Sequence, residues 1–182
     1  MATKQWVRWT IAGVLGLFLA LSISFRLATQ GASAPIGLGA RLIGTWRVVK
    51  YVNTDATGKV TYPFGEHPAG YFVYDSTGHL SVQILRMPAT RGFASGDDNK
   101  GTDSEVRSAY DGYVAYFGTY RVDEKNSIVT HVVEGSLKPS YTGTDQPRPF
   151  KLDGDDLVIE IRDKDAYYYR QLRRVKADDG AV

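Results

Sequence analysis

Asp111-Gly112-Tyr113-Val114-Ala115-Tyr116-Phe117-Gly118-Thr119-Tyr120-Arg121-Val122, a turn at Asp123-Glu124-Lys125-Asn126, and then Ile128-Val129-Thr130-His131-Val132-Val133 form the stretch that decides the fold. Both arms are rich in aromatic and β-branched residues, which suit a pleated surface. The polar tetrapeptide between them reads as a hairpin turn. Working outward, the pattern repeats. Tyr71–Tyr74 and His79–Leu85 flank Asp75-Ser76-Thr77-Gly78, and Pro149–Leu152 and Leu157–Ile161 flank Asp153-Gly154-Asp155. Thr45–Val52 opens the series and Ala166–Val175 closes it. Successive hairpins without crossover helices predict an antiparallel meander of about eight to ten strands. A sheet of that size best avoids exposed edges by closing on itself. The fold class expected is therefore all-β, an up-and-down closed barrel, and an eight-stranded barrel has room for one small ligand.

One segment departs from strand patterning. Thr102-Asp103-Ser104-Glu105 opens a run of helix formers to about Tyr110, with Thr102 or Asp103 as cap and acids in the first turn. The glycine-rich 91–101 segment before it reads as a mobile loop. Helix and loop together would lie across one barrel mouth, the loop as a lid.

Ahead of the strands, Lys4 and Arg8 precede Trp9–Phe25, 17 residues without a charge. A basic start followed by an apolar run is the layout of a secretory signal. The run is also long enough, at the low limit, for a spanning helix of roughly 17–25 residues. Cleavage after Ala32-Ser33-Ala34 or after Gly31-Ala32-Ser33 and retention as a membrane anchor both stay open. Residues 1–34 are read as leader or anchor, 35–40 as a Gly/Pro linker, 41–175 as the barrel and 176–182 as a flexible tail. The barrel is expected outside the cytoplasmic membrane, periplasmic or extracellular, secreted or held by residues 9–25.

Composition narrows the function. Three of the 22 bases lie in the leader, which leaves 19 against 20 acids and a net charge of −1 for the rest. A nearly neutral domain gives no electrostatic case for nucleic acid. The chain has no cysteine, which excludes disulfides and thiolate metal sites. His67, His79 and His131 are scattered, a spacing that makes no metal site, and no motif asks for a cofactor.

Several of these runs resemble the bacterial and fungal lipocalin-like domain family. They are Leu42-Ile43-Gly44-Thr45-Trp46, Gly70-Tyr71 to Tyr74, Gly78-His79-Leu80-Ser81-Val82-Gln83 and Asp111–Tyr120. Val129-Thr130-His131 to Glu134-Gly135-Ser136 and Gly143-Thr144-Asp145-Gln146 continue the match, which covers about residues 41–174. The resemblance implies a calycin-type barrel and leaves activity open. It also implies that Arg173 or Arg174, in the Arg-rich last strand, packs over the signature Trp46. The disulfides of plasma-type lipocalins have no counterpart here.

Alternation along strands sorts candidate site residues. Val114, Tyr116, Gly118, Tyr120 and Val122 share one face, as do Val129, His131 and Val133, and these faces are assigned to the interior. Phe117 on the outer face argues the other way. Tyr71, Tyr116, Tyr120 and Tyr169 would line a cavity with apolar walls and hydroxyl tips, suited to a small hydrophobic or aromatic molecule. Packing with satisfied hydroxyls is the alternative for each. Gln83, on a face with Ser81 and His79, would add polar contacts if inward. Arg86 lies near a rim. Arg148 either pairs with Asp145 as a loop staple or binds an acidic headgroup at the mouth. His131 is the natural acid–base group. Glu134 falls on the opposite face unless a bulge at Gly135 re-aims it, and a His131–Tyr116 bond facing the cavity would favour an enzyme. Three readings follow: a binding module, an isomerase, cyclase or hydrolase using His131, and a structural envelope domain.

Overall fold

The computed structural model describes residues 37–177. The leader and anchor readings, the cleavage sites and most of the tail lie outside these residues. Nine strands run in order: β1 (Gly44–Asp55), β2 (Val60–Thr61), β3 (Ala69–Tyr74), β4 (His79–Leu85), β5 (Tyr113–Asp123), β6 (Ile128–Ser136), β7 (Asp145–Asp153), β8 (Asp156–Arg162) and β9 (Ala166–Arg174). All pairs are antiparallel neighbours, and β9 returns to β1 along Trp46–Asp55. Eight strands thus close the barrel, with β2 a two-residue ribbon on the far end of β1. The meander and its closure follow from the local hairpin turns. Asp75 shows how: its carboxylate accepts from the N–H groups of Thr77 and His79 at 2.8 and 2.9 Å, which folds the chain back on itself.

The interior is built by alternation. Phe72 and Tyr74, Leu80, Val82 and Ile84, Val129 and Val133, and Leu157 and Ile159 are all buried. Phe117 is 57% exposed on the outer face, lying over Gly135, where its ring would be 2.6 Å from any added Cβ. A glycine under an aromatic ring explains an apolar residue outside.

One barrel end is sealed. The 35–40 linker reading gives way at Leu38 to α1 (Leu38–Leu42), and Leu42 is fully buried there. Trp46, also fully buried, donates Nε1–H to Leu42 O at 2.8 Å, so its one polar atom is satisfied. Arg174 lies over the Trp46 ring, 4.1 Å from its centroid, and donates to the carbonyls of Ile43, at 2.8 Å, and Arg41. Of the two arginines expected over Trp46, it is Arg174; Arg173 points out and pairs with Asp156. Gly44 has φ 138°, and a Cβ there would sit 2.6 Å from Arg174 Nη1. Gly44, Trp46 and Arg174 therefore close this end as one unit.

The predicted helix is α2 (Asp103–Asp111), begun by a capping box between Thr102 and Glu105. Glu105 also accepts from Ala94 N–H at 2.7 Å, which ties the preceding loop to the helix. No side chain of α2 is buried. Among the described residues no helix is long and apolar enough to cross a membrane.

Candidate ligand cavity

The end opposite Trp46 opens into a cavity of about 390 Å³, within the range of small-molecule sites. Its walls are apolar: Phe72, Val82, Ile84, Val114, Ile159 and Ile161. Around these sit Tyr51, Tyr116, Tyr141 and Tyr168, with Asn53, Gln146, Lys138, Arg148 and Arg170 as polar groups.

His131 lies beneath the cavity, fully buried, and both ring nitrogens are engaged. Nε2 is 2.7 Å from the Tyr74 hydroxyl and Nδ1 is 2.9 Å from the Tyr116 hydroxyl. Burial, with the Arg148 charge adding to it, pushes His131 down to about 3, so the ring is neutral. A neutral imidazole has one donor and one acceptor nitrogen. Tyr74 is 1% exposed and has no second hydrogen-bond partner among the described residues. The Tyr74 and His131 hydrogens are both satisfied only when Tyr74 donates to Nε2 and Nδ1–H donates to the Tyr116 oxygen. Tyr116 then keeps its own O–H for another acceptor, and Tyr116 is the member of the three that lines the cavity. Burial raises Tyr116 above the ordinary tyrosine range, which keeps it a neutral donor.

Two arginines face the same space. Arg170, 9% exposed, stacks on Tyr51 with its guanidinium carbon 3.3 Å from the ring centroid, and its Nη1 donates to Val52 O at 2.7 Å and Tyr169 O at 3.0 Å. Burial lowers its proton affinity. Arg148 donates to Pro147 O and to Gln146 Oε1, each at 3.1 Å. All these acceptors are neutral. Lys138 donates to Tyr110 O at 3.2 Å and lies 3.5 Å over that ring. Among the described residues no carboxylate lines the cavity. Asn53 Oδ1 is buried without a hydrogen-bond partner.

Of the residues singled out by sequence, Tyr116 and Arg148 lie on the cavity wall. The others are corrected. Tyr71 is 47% exposed, because Phe72 and Tyr74 take the inner face of β3. Gln83 is outward on β4, opposite buried Val82 and Ile84. Arg86 pins α2 to the end of β4, through Thr90 at 3.0 Å and the Ser108 hydroxyl at 3.1 Å. Tyr120 is interior, but its hydroxyl donates to Asp75 O at 2.7 Å in the hairpin turn, away from the cavity. Tyr169 lies on the outer face with Tyr167. The Asp145–Arg148 staple does not form: Asp145 pairs with Arg121 at 2.5 Å. Neither α2 nor the 91–101 loop contributes a residue to the cavity wall; α2 meets it through Tyr110, which holds the lining residue Lys138. Glu134 bulges out of β6 and is exposed, so it makes no dyad with His131. His67 and His79 are exposed at turns, and no metal-holding group of acids and histidines gathers among the described residues.

Sequence reading misses Tyr51, Asn53, Tyr168 and Arg170. For the first two the signal is hidden by a bulge at Val49: Val48 faces Leu172, but Lys50 faces Gln171. The extra residue turns Tyr51 and Asn53 inward. For Tyr168 and Arg170, alternation back from buried Leu172 carries the signal.

A model of the lipocalin-like domain matches residues 43–174. The chain is also 34% identical over 86 residues to the 4'-hydroxy-3'-methoxypropiophenone carrier protein ppsC of Aspergillus oryzae, an alignment that covers 44% of this chain and 77% of that one. Barrel, signature unit and family match agree, and the chain belongs to the lipocalin-like domain family.

Proposed function

We propose that the barrel binds and carries a small aromatic molecule, and that the 1–34 leader puts it outside the cytoplasmic membrane, free or anchored. The observation that carries the binding reading is the cavity of about 390 Å³, walled by Phe, Ile and Val and rimmed by tyrosines. Apolar burial would supply the affinity and the few polar groups would orient the ligand. Tyr116 is the orienting donor and Arg148 a rim contact. The Aspergillus relative, named a carrier of a phenolic ketone, supports an aromatic ligand with polar substituents.

The His131–Tyr116 bond that favours an enzyme is present. His131 nevertheless makes a poor base: it has no carboxylate beside it, both nitrogens are taken, and burial holds it neutral. Carriage is the better reading.

The test is equilibrium dialysis of the full chain against 4'-hydroxy-3'-methoxypropiophenone and similar neutral aromatics. Saturable binding at one site is expected, abolished by Val114→Trp, which fills the cavity. No saturable binding, or binding indifferent to that substitution, would overturn the reading.

A further inference from the structure

The cavity carries more positive charge than the protein itself answers. Arg148, Arg170 and Lys138 line it, and among the described residues no carboxylate does. Lys138 is tied to Tyr110 and lies near Asp111, whose carboxyl it helps to lower. The two arginines differ. Neither makes an ion pair among the described residues, and each hydrogen bond they make goes to a neutral oxygen. Buried or half-buried guanidinium groups without a counter-charge are costly unless something else supplies one.

A second observation points the same way. The Tyr74–His131–Tyr116 relay leaves the hydroxyl hydrogen of Tyr116, a cavity-lining residue, without a protein acceptor among the described residues. Arg148 pairs with Val129, two residues along β6 from His131, and shares the cavity wall with Tyr116. Two guanidinium groups and a hydroxyl donor, set in an apolar chamber, make an anion-recognition site rather than a general hydrophobic one. The apolar walls then select what bears the anion.

We propose that the ligand is an aromatic organic acid, bound as its anion, with its carboxylate held by Arg148, Arg170 and Tyr116 and its ring against Ile159, Ile161 and Phe72. This rests on the binding reading above and names its substrate class.

The test uses 2-naphthoate and its neutral amide, 2-naphthamide, titrated calorimetrically into the full chain. The acid is expected to bind at least about tenfold tighter than the amide, since hydrogen bonds between charged partners are worth roughly twice neutral ones. Arg148→Gln should bring the two within about threefold by weakening the acid far more than the amide. Arg148→Lys, which keeps the charge, should retain part of the preference. A Gln variant that weakens both ligands equally has lost packing and counts against the proposal. If the amide binds as tightly as the acid, the anion proposal fails and the binding reading stands. If neither binds, both fail.

Discussion

His131 makes the barrel's stability depend on pH in a window where few other groups act. The perturbation is a drop from pH 7.5 to 5.0, in wild type and in His131→Gln. In the folded protein burial pushes the ring down to about 3, whereas an unfolded chain protonates it near pH 6.5. The folded state therefore holds fewer protons than the unfolded one between these values, and stability falls as pH falls. It is complete above about pH 6.5, drains by roughly 1.4 kcal/mol per unit below that, and stops draining near pH 3. At pH 5.0 the expected loss is about 2 kcal/mol, or about 4–8 °C in Tm for a chain of this size. Carboxylates enter mainly below this window, because their unfolded values lie near 4. Urea unfolding followed by circular dichroism gives the free energy at each pH. A glutamine side chain cannot charge, so the variant's pH dependence should be shallower than wild type's by that 2 kcal/mol, and the difference cancels every other group. Equal losses in the two proteins would refute a neutral, buried His131 and with it the donor relay to Tyr116.

Other consequences are simpler to measure. Arg174→Ala removes a guanidinium from the Trp46 face and its bonds to Ile43 and Arg41 carbonyls, and should cost about 2 kcal/mol in chemical unfolding; a loss under about 0.5 kcal/mol would deny it a sealing role. Thr102→Ala breaks the capping box and should cost α2 about 1 kcal/mol. Because α2 buries no side chain, the loss should appear as faster amide exchange over 103–111 with little change in Tm. Gly118→Ala would put a Cβ 2.0 Å from Val132 O at the β5–β6 pairing, with an expected loss of about 2 kcal/mol or more; a neutral result would mean the strands separate there without cost. Asn53 Oδ1, buried without a donor, should favour a ligand hydroxyl, so 6-hydroxy-2-naphthoate should bind more tightly than 2-naphthoate, and Asn53→Leu should erase that difference.

The legible parts of the molecule are those with local causes. The β5–β6 hairpin, the Asp75 turn and the Thr102 cap each follow from a few adjacent residues, and the interior placement of Tyr116 and His131 follows from alternation across that hairpin. Alternation sorts residues into two faces but does not say which is inside. Gln83 and Tyr71 show what goes wrong when a polar or aromatic side chain is weighed above its apolar neighbours: Val82 and Ile84, and Phe72 and Tyr74, are the stronger inward signal. The strand that carries Arg148 is obscured by its prolines, which read as loop. In β7 they are tolerated for a positional reason. Phe150 N–H bonds Ser127 O on the β6 side, so the nitrogens of Pro147 and Pro149 turn to the other side, where pairing with β8 begins only at Phe150. The segment that lacks a β8 partner carries Gln146 and Arg148 on the cavity wall.

Of two register breaks, the one in β1 decides what chemistry the cavity holds. Unbroken alternation from Trp46 would carry Lys50 and Val52 inward and leave Tyr51 and Asn53 outside. Lys50 would then join Arg148 and Arg170 in a space without carboxylates, and Arg170 would lose the ring it stacks on. The extra residue at Val49 exchanges a third unanswered cation for an aromatic face, and so makes a buried Arg170 tolerable beside Ile159 and Ile161. On β6 the extra residue is Glu134, which lies between the partners of Phe117 and Gly118 and is exposed. Its displacement turns the strand's end so that Ser136 pairs with Tyr116, while Glu134 stays on the outer face that alternation from His131 already gives it. Neither break is visible as a motif, because each is a single added residue in an otherwise ordinary strand. The electrostatic effect belongs to the break in β1: it keeps an extra cation out of the cavity, which leaves two guanidinium groups for a ligand to answer.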